Sequence, residues 1–295
     1  MRDAERPGPQ SLRGSGATEG SRPPVIPSRP PVIPSRAPVT ASRAPVIPSD
    51  SEGSRSQPEI PRSARDDTRS ARDDNAFRIP HPASRVPPPV IHAITSDRIL
   101  ARPEFLAQAH VVMDVLGELG AVHVRAHHLP TAWVYELADA LREEQTRTGC
   151  WLVVNDRVDV ALTSGARAVQ LTSRSMTAAD ARAIAPALRI GASVHSIADA
   201  RAAAAARADW LVAGHIFETA SHPGAPGRGL RFLRELATAT PLPCIAIGGV
   251  RPEHVAELVA AGAYGVAAIS GIWDADDAER AASEYLSAYD ALRGS

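Results

Sequence analysis

From Val90 onward the chain alternates short apolar runs with longer amphipathic segments, eight times over. That is the pattern expected of parallel βα units and not of a sandwich. The strand candidates are Val90 to Ile94, Ala121 to Arg125, Trp151 to Asn155, Ala168 to Leu171, Arg189 to Ser193, Trp210 to Ala213, Cys244 to Ile247 and Gly265 to Ile269. The segments between them carry apolar residues at helical spacing, as in Trp133, Leu137, Ala140 and Leu141, or Val255, Leu258 and Val259. Eight such units in about 200 residues predict a compact α/β fold, a (βα)₈ TIM barrel.

The preceding segment has a different composition. Of the 26 prolines, 18 precede Val90. A seven-residue unit beginning at Ser21 recurs with changes at Ser28, Ser35 and Ser42, and a second, Arg62 to Thr68, recurs from Arg69. Proline at this density excludes helix and favours extended, solvated chain. Residues 1 to 88 are therefore expected to be a disordered Pro/Arg/Ser-rich tail, and 89 to 295 the barrel. A proline-recognising module could read such a tail; a duplicated segment without a folded role is the simpler reading.

Charge and residue usage exclude several chemistries. The first 89 residues hold 14 Arg against 10 Asp plus Glu, the remainder 18 against 23. A mildly acidic barrel argues against a nucleic-acid surface. All 32 basic residues are arginine, so neither a Schiff-base lysine nor a phosphate-loop lysine is available. Cys150 and Cys244 stand in or beside apolar strand runs and read as core thiols of a reducing compartment. No run of about 18 apolar residues occurs and the N-terminus lacks a signal-peptide core, so a cytoplasmic protein with no membrane partner is expected. Homo-oligomer formation is left open.

In such barrels the catalytic groups lie at the C-terminal ends of the strands. That rule gathers Thr95, Asp97, Arg125, His127, Asn155, Asp156, Gln170, Thr172, Ser193, His195 and His215 around one mouth, with Gly248, Gly249, Ser270 and Gly271. His215 follows the apolar run Trp210 to Ala213, and imidazole both takes and gives a proton near neutral pH. A lone histidine is commonly a packed or capping one. The glycine before it and the loop Thr219 to Gly224 after it favour a ligand-facing strand end. Gly248-Gly249 and Ser270-Gly271 end the seventh and eighth strands, where small residues let backbone N–H groups approach an anion. Either glycine motif alone would equally be a turn; together they point to phosphate. His92, His110 and His254 read as strand or surface-helix residues without a role.

At this point the residues resemble the thiamine phosphate synthase superfamily, and within it the thiazole tautomerase branch. The resemblance rests on His123-Val124-Arg125, Val154 to Leu162, Val169-Gln170-Leu171, Ser193-Val194-His195-Ser196, Gly214 to Thr219, Ile247 to Val250 and Ile269 to Ile272, and covers about Pro89 to the C-terminus. Where the synthase pattern has glutamine-x-arginine-x-lysine after strand two, this sequence has His123, Arg125 and His127. Its glutamate-aspartate pair after strand four is matched by Arg174 and Ser175, and its lysine after strand six by His222. Asp156 alone remains as a metal ligand, and one carboxylate rarely holds Mg²⁺ without substrate help.

The tautomerase branch carries the Gly214 to Thr219 run and the Arg174-Ser175 pair. The resemblance therefore implies an isomerase: a metal-free and cofactor-free proton shift that aromatises a thiazole carboxylate phosphate, its small-molecule partner, with His215 as the catalytic residue. Arg125 or Asn155 would anchor the carboxylate, Ser193 would line the site, Thr219 and Ser221 would add hydroxyl donors, and Gly248, Gly249, Ser270 and Gly271 would bind the phosphate. Two other readings stand beside it. One is a thiamine phosphate synthase joining a pyrimidine diphosphate to a thiazole phosphate, with Mg²⁺ as cofactor. The other is a non-catalytic phosphate-binding paralogue.

Overall fold

The computed structural model describes residues 86–221 and 223–293. Eight parallel strands close into a barrel in sequence order: β1 (Ile91–Ile94), β2 (Gly120–Val124), β3 (Trp151–Asn155), β4 (Ala168–Leu171), β5 (Arg189–Val194), β6 (Trp210–Ala213), β7 (Cys244–Ile247) and β8 (Gly265–Ala268). β1 pairs with β8 to complete the ring, with Ile91 opposite Val266. All eight predicted strands are present; the differences lie at their ends, where Val90, Arg125 and Ile269 fall outside the strands and Gly120 and Val194 join them. The expected tail, residues 1–88, lies outside the described residues except for Val86, Pro87 and Pro88.

The described residues hold ten α-helices: α1 (Asp97–Leu100), α2 (Phe105–Leu116), α3 (Thr131–Thr148), α4 (Val158–Ser164), α5 (Ala178–Ile184), α6 (Ile197–Ala205), α7 (Gly229–Ala239), α8 (Val255–Ala260), α9 (Ser270–Trp273) and α10 (Ala278–Asp290). Their starts follow capping chemistry: the side chains of Thr177, Ser196 and Asp277 accept from the backbone N–H three residues on. α3 ends where Gly149 takes φ 78°, a left-handed conformation glycine adopts without a Cβ clash.

Strand alternation divides the core into two shells. Ile94, Ala121, Trp151, Val153, Ala168, Trp210, Val212, Ile245 and Ala267 fill the barrel, and the Trp151 and Trp210 rings meet edge to face at 6.2 Å. Their neighbours in sequence, such as Leu152, Val154 and Leu211, pack outward against the helices. Cys150 and Cys244 are free and buried, as expected of core thiols, and burial pushes each thiol up to about 12. Among the described residues, no helix is long and apolar enough to cross a membrane.

Candidate active site

The inward-facing positions turn polar toward the C-terminal ends of β2 to β5, and in β1 at His92, one inward position below Ile94. His92 Nε2 lies 2.9 Å from the Pro89 carbonyl and its Nδ1 2.8 Å from His123 Nε2. His123 Nδ1 in turn lies 3.1 Å from the Asn155 side chain. Gln170, opposite Asn155 in the β3–β4 register, donates to Ser193 Oγ at 3.0 Å. Both imidazoles are sealed from solvent. Burial drives His92 down to about 4, and it drives His123 well below the usual histidine range, helped by the neighbouring His92 and Arg125. These are neutral rings at physiological pH. His92, read from sequence as a strand residue without a role, belongs to this interior chain. The missed signal was parity: His92, His123 and Asn155 all stand on inward positions of successive strands.

Beyond this tier, one side of the mouth is cationic. The Thr95 hydroxyl donates to the His123 carbonyl at 2.7 Å and accepts from the Arg125 N–H at 2.9 Å. Asp97 accepts the backbone N–H groups of His127, His128 and Leu129 at 2.9–3.1 Å, which shapes the loop after β2. Burial pushes the Asp97 carboxyl up, but those N–H donors outweigh it and hold the group below its ordinary range. Arg125 is half-buried and feels Asp156, Asp97 and Arg174. Burial and then the repulsion of Arg125 and Arg174 push His127 down. Arg125, His127 and Arg174 therefore share one electrostatic neighbourhood.

Asp156 follows β3 with φ 65°, unusual for a residue with a Cβ. Its Oδ1 accepts from the Thr172 N–H at 2.9 Å, from the Thr172 hydroxyl at 2.7 Å and from the Ser175 hydroxyl. The Asp97 carboxylate is committed to its loop. Among the described residues no group of three or more His, Cys, Asp or Glu side chains is placed to hold a metal ion. With one carboxylate already engaged by three donors, these residues do not fit a resident Mg²⁺.

Across the mouth, His215 Nε2 donates to the Pro226 carbonyl at 3.1 Å, tying the strand end to the loop before α7. His195 Nδ1 lies 3.2 Å from the Gly214 carbonyl. Thr219 Oγ1 accepts from the Ser221 N–H at 3.4 Å, so that hydroxyl serves its own loop. Gly248 and Gly249 have φ 98° and 65°. A Cβ on Gly248 would meet His215 Cβ at 2.3 Å, and one on Gly249 would meet the Glu218 carbonyl oxygen at 2.3 Å. Packing against the β6 loop thus requires glycine at both positions independently of any ligand. A Cβ on Gly271 would lie 2.3 Å from the Tyr285 hydroxyl, which donates to the Val250 carbonyl at 2.7 Å. Ser270 and Gly271 are exposed at the start of α9.

The fold defines the class: a closed (βα)₈ barrel with a polar mouth at the C-terminal ends of its strands, the end at which such barrels carry their active sites. The sequence pattern of the thiamine monophosphate synthase family matches residues 91–272. The thiamine-phosphate synthase of Pyrococcus horikoshii is 37% identical over 188 residues, spanning 64% of this chain and 89% of that protein. That of Methanoculleus marisnigri is 41% identical over 168 residues, spanning 56% and 80%. The solved thiamine phosphate pyrophosphorylase of Pyrococcus furiosus superposes with a TM-score of 0.61 at 32% identity, covering 69% of this chain and 96% of that one. The chain belongs to the thiamine monophosphate synthase family.

These relatives correct the expected activity. They are synthases at 37% and 41% identity over most of their lengths, so the thiazole tautomerase reading, and the isomerase class with it, gives way to the transferase alternative. The motifs that suggested the isomerase have structural work of their own: Ser175 bonds to Asp156, and His215 holds Pro226.

Proposed function

We propose that the protein is a transferase that joins a pyrimidine diphosphate to a thiazole phosphate, forming thiamine phosphate and releasing diphosphate. Beside the named relatives, one geometric observation supports this: the mouth has two regions suited to anions on opposite arcs of the ring. In a ring of eight strands β3 faces β7 and β4 faces β8. Arg125, His127 and Arg174 follow β2 and β4, while Gly248-Gly249 and Ser270-Gly271 follow β7 and β8. The cationic arc suits the larger charge of a diphosphate, and the glycine arc suits a single phosphate. Joining two phosphorylated substrates occupies both.

The bond between the pyrimidine methylene carbon and the diphosphate oxygen breaks, with the electron pair leaving on the diphosphate. The thiazole nitrogen lone pair forms the new C–N bond and the nitrogen becomes quaternary. That nitrogen carries no proton to lose, so the chain supplies positioning and charge stabilisation, not a general base. Arg125 and Arg174 draw the charge building on the leaving diphosphate, each guanidinium being able to grip two oxygens. His127 adds a donor. Backbone N–H groups of Gly248, Gly249, Ser270 and Gly271 hold the thiazole phosphate, with Thr219 and Ser221 at its rim and Ser193 on the floor. His215 becomes the residue that fixes the wall between them.

The test supplies the purified protein with both substrates and follows diphosphate release and product mass. Diphosphate should appear only when both are present, in step with thiamine phosphate. Binding of both substrates without turnover would remove the proposal.

A further inference from the structure

The turn after β4 is built around one carboxylate oxygen. Asp156 Oδ1 accepts from the Thr172 N–H at 2.9 Å, from the Thr172 hydroxyl at 2.7 Å and from the Ser175 hydroxyl. The Ser175 N–H closes the turn on the Thr172 carbonyl at 3.0 Å. Thr172 and Ser175 are thereby fixed on either side of Arg174, whose backbone N–H makes a long contact of 3.4 Å to the Thr172 hydroxyl oxygen. The Arg174 side chain is exposed and forms no ion pair with a described residue. Its charge acts on both Arg125 and His127, so it belongs to the cationic side of the mouth. Two guanidinium groups held there repel each other, and an anion between them relieves that repulsion.

We propose that Arg174, mounted by the Asp156 clasp, supplies the charge for which a resident metal ion would otherwise be needed, so that diphosphate binds and leaves without Mg²⁺. The guanidinium groups of Arg125 and Arg174 together carry the charge of one divalent cation, and each can grip two oxygens. The residue types at the turn suit this role and not metal coordination. A guanidinium has no lone pair to give a metal, Ser175 donates its hydroxyl hydrogen to the carboxylate, and Asp156 keeps only Oδ2 outside the clasp. The bonds exchanged are those of the proposed transfer. The methylene C–O bond breaks with its electron pair passing to the diphosphate, the thiazole nitrogen lone pair forms the C–N bond, and the two guanidinium groups meet the charge without moving a proton. Asp156 is a positioning residue that acts on Arg174 through Thr172 and Ser175. The turnover half of this inference rests on the synthase reading; the binding of free diphosphate does not.

Calorimetric titration of the full chain with inorganic diphosphate in excess EDTA gives the first test. The wild type should bind, and Arg174→Ala should weaken binding by about tenfold to a hundredfold. A double variant, Arg174→Glu with Ser175→Asp, should bind diphosphate only when Mg²⁺ replaces EDTA, since hard cations collect clustered carboxylates. Wild-type binding that appears only with Mg²⁺, unchanged affinity in Arg174→Ala, or binding by the double variant in EDTA would overturn the assignment. A conservative pair tests the positioning role. Asp156 has φ 65°, a conformation open to asparagine and glycine as well. Asp156→Asn keeps an acceptor oxygen for the same donors and should retain wild-type diphosphate affinity, whereas Asp156→Gly lacks it and should fall toward Arg174→Ala. An equal loss in both would overturn the positioning role. Turnover is then followed under the same conditions with both substrates. Thiamine phosphate formed in EDTA supports metal-free departure, and product formed only with Mg²⁺ overturns it while leaving the synthase reading intact. No product under either condition removes the synthase reading and metal-free turnover together, and the diphosphate titrations still decide the charge assigned to Arg174.

Discussion

Ser175 donates its hydroxyl hydrogen bond to Asp156 Oδ1, the same oxygen that takes both the amide and the hydroxyl of Thr172. The carboxylate nearest the cationic side of the mouth is thereby spent on organising the loop after β4. Oδ2 takes no part in these bonds, so a metal ion would find one oxygen of Asp156 and would have to draw its other ligands from a substrate.

The free protein should accordingly show no Mg²⁺ binding by titration calorimetry at millimolar concentration. Ser175→Asp places a second carboxylate beside the first and should create measurable Mg²⁺ affinity, since hard cations collect clustered carboxylate oxygens. Wild-type binding as tight as that of the variant would contradict the reading of Asp156 as a structural acceptor.

Acid stability follows from the buried imidazoles. His92 is neutral in the fold down to about pH 4, whereas in the unfolded chain it protonates near 6.5. The unfolded state thus binds more protons as pH falls from 6.5 toward 4, and stability is lost across that window, by about 3 kcal/mol from His92 alone. His123 is shifted in the same direction and adds to the loss. Urea unfolding at pH 7 and pH 5.5, above the carboxylate range, should show the beginning of this decline. A flat profile between those values would mean the histidines are hydrated.

Gly271 and Tyr285 give a packing prediction. Gly271→Ala brings a methyl to 2.3 Å from the Tyr285 hydroxyl and should cost about 1–3 kcal/mol in thermal or urea unfolding. In a Tyr285→Phe background the obstructing oxygen is gone, so the same substitution should cost clearly less. Equal costs in both backgrounds would show that the contact is not what demands glycine.

That pair also shows how far the sequence could be read. The eight strands were legible because parallel strands covered on both faces leave uninterrupted apolar runs, and their order around the ring follows from βα alternation. The polar strand ends were legible for the same reason. Glycine was ambiguous: Gly248, Gly249 and Gly271 look alike whether a backbone approaches an anion or a neighbouring side chain, and only the positions of His215, Glu218 and Tyr285 reveal the second cause. His92 escaped notice because a histidine in a short strand has no motif of its own; its partners lie 31 and 63 residues further along, at His123 and Asn155. The activity was misjudged where local loop motifs were weighed above similarity spread over the whole barrel.

Two anion regions on opposite arcs of one mouth are the centre of this account, and simultaneous binding tests it most directly. The full chain is titrated with inorganic diphosphate, then with a thiazole phosphate in the presence of saturating diphosphate, and the two titrations are repeated with Arg125→Ala. Both ligands should bind together with little mutual effect, and the variant should lose about tenfold to a hundredfold in diphosphate affinity while keeping that for the thiazole phosphate. Full competition between the two ligands, or equal loss of both in the variant, would place them in one shared site and contradict the joining reaction.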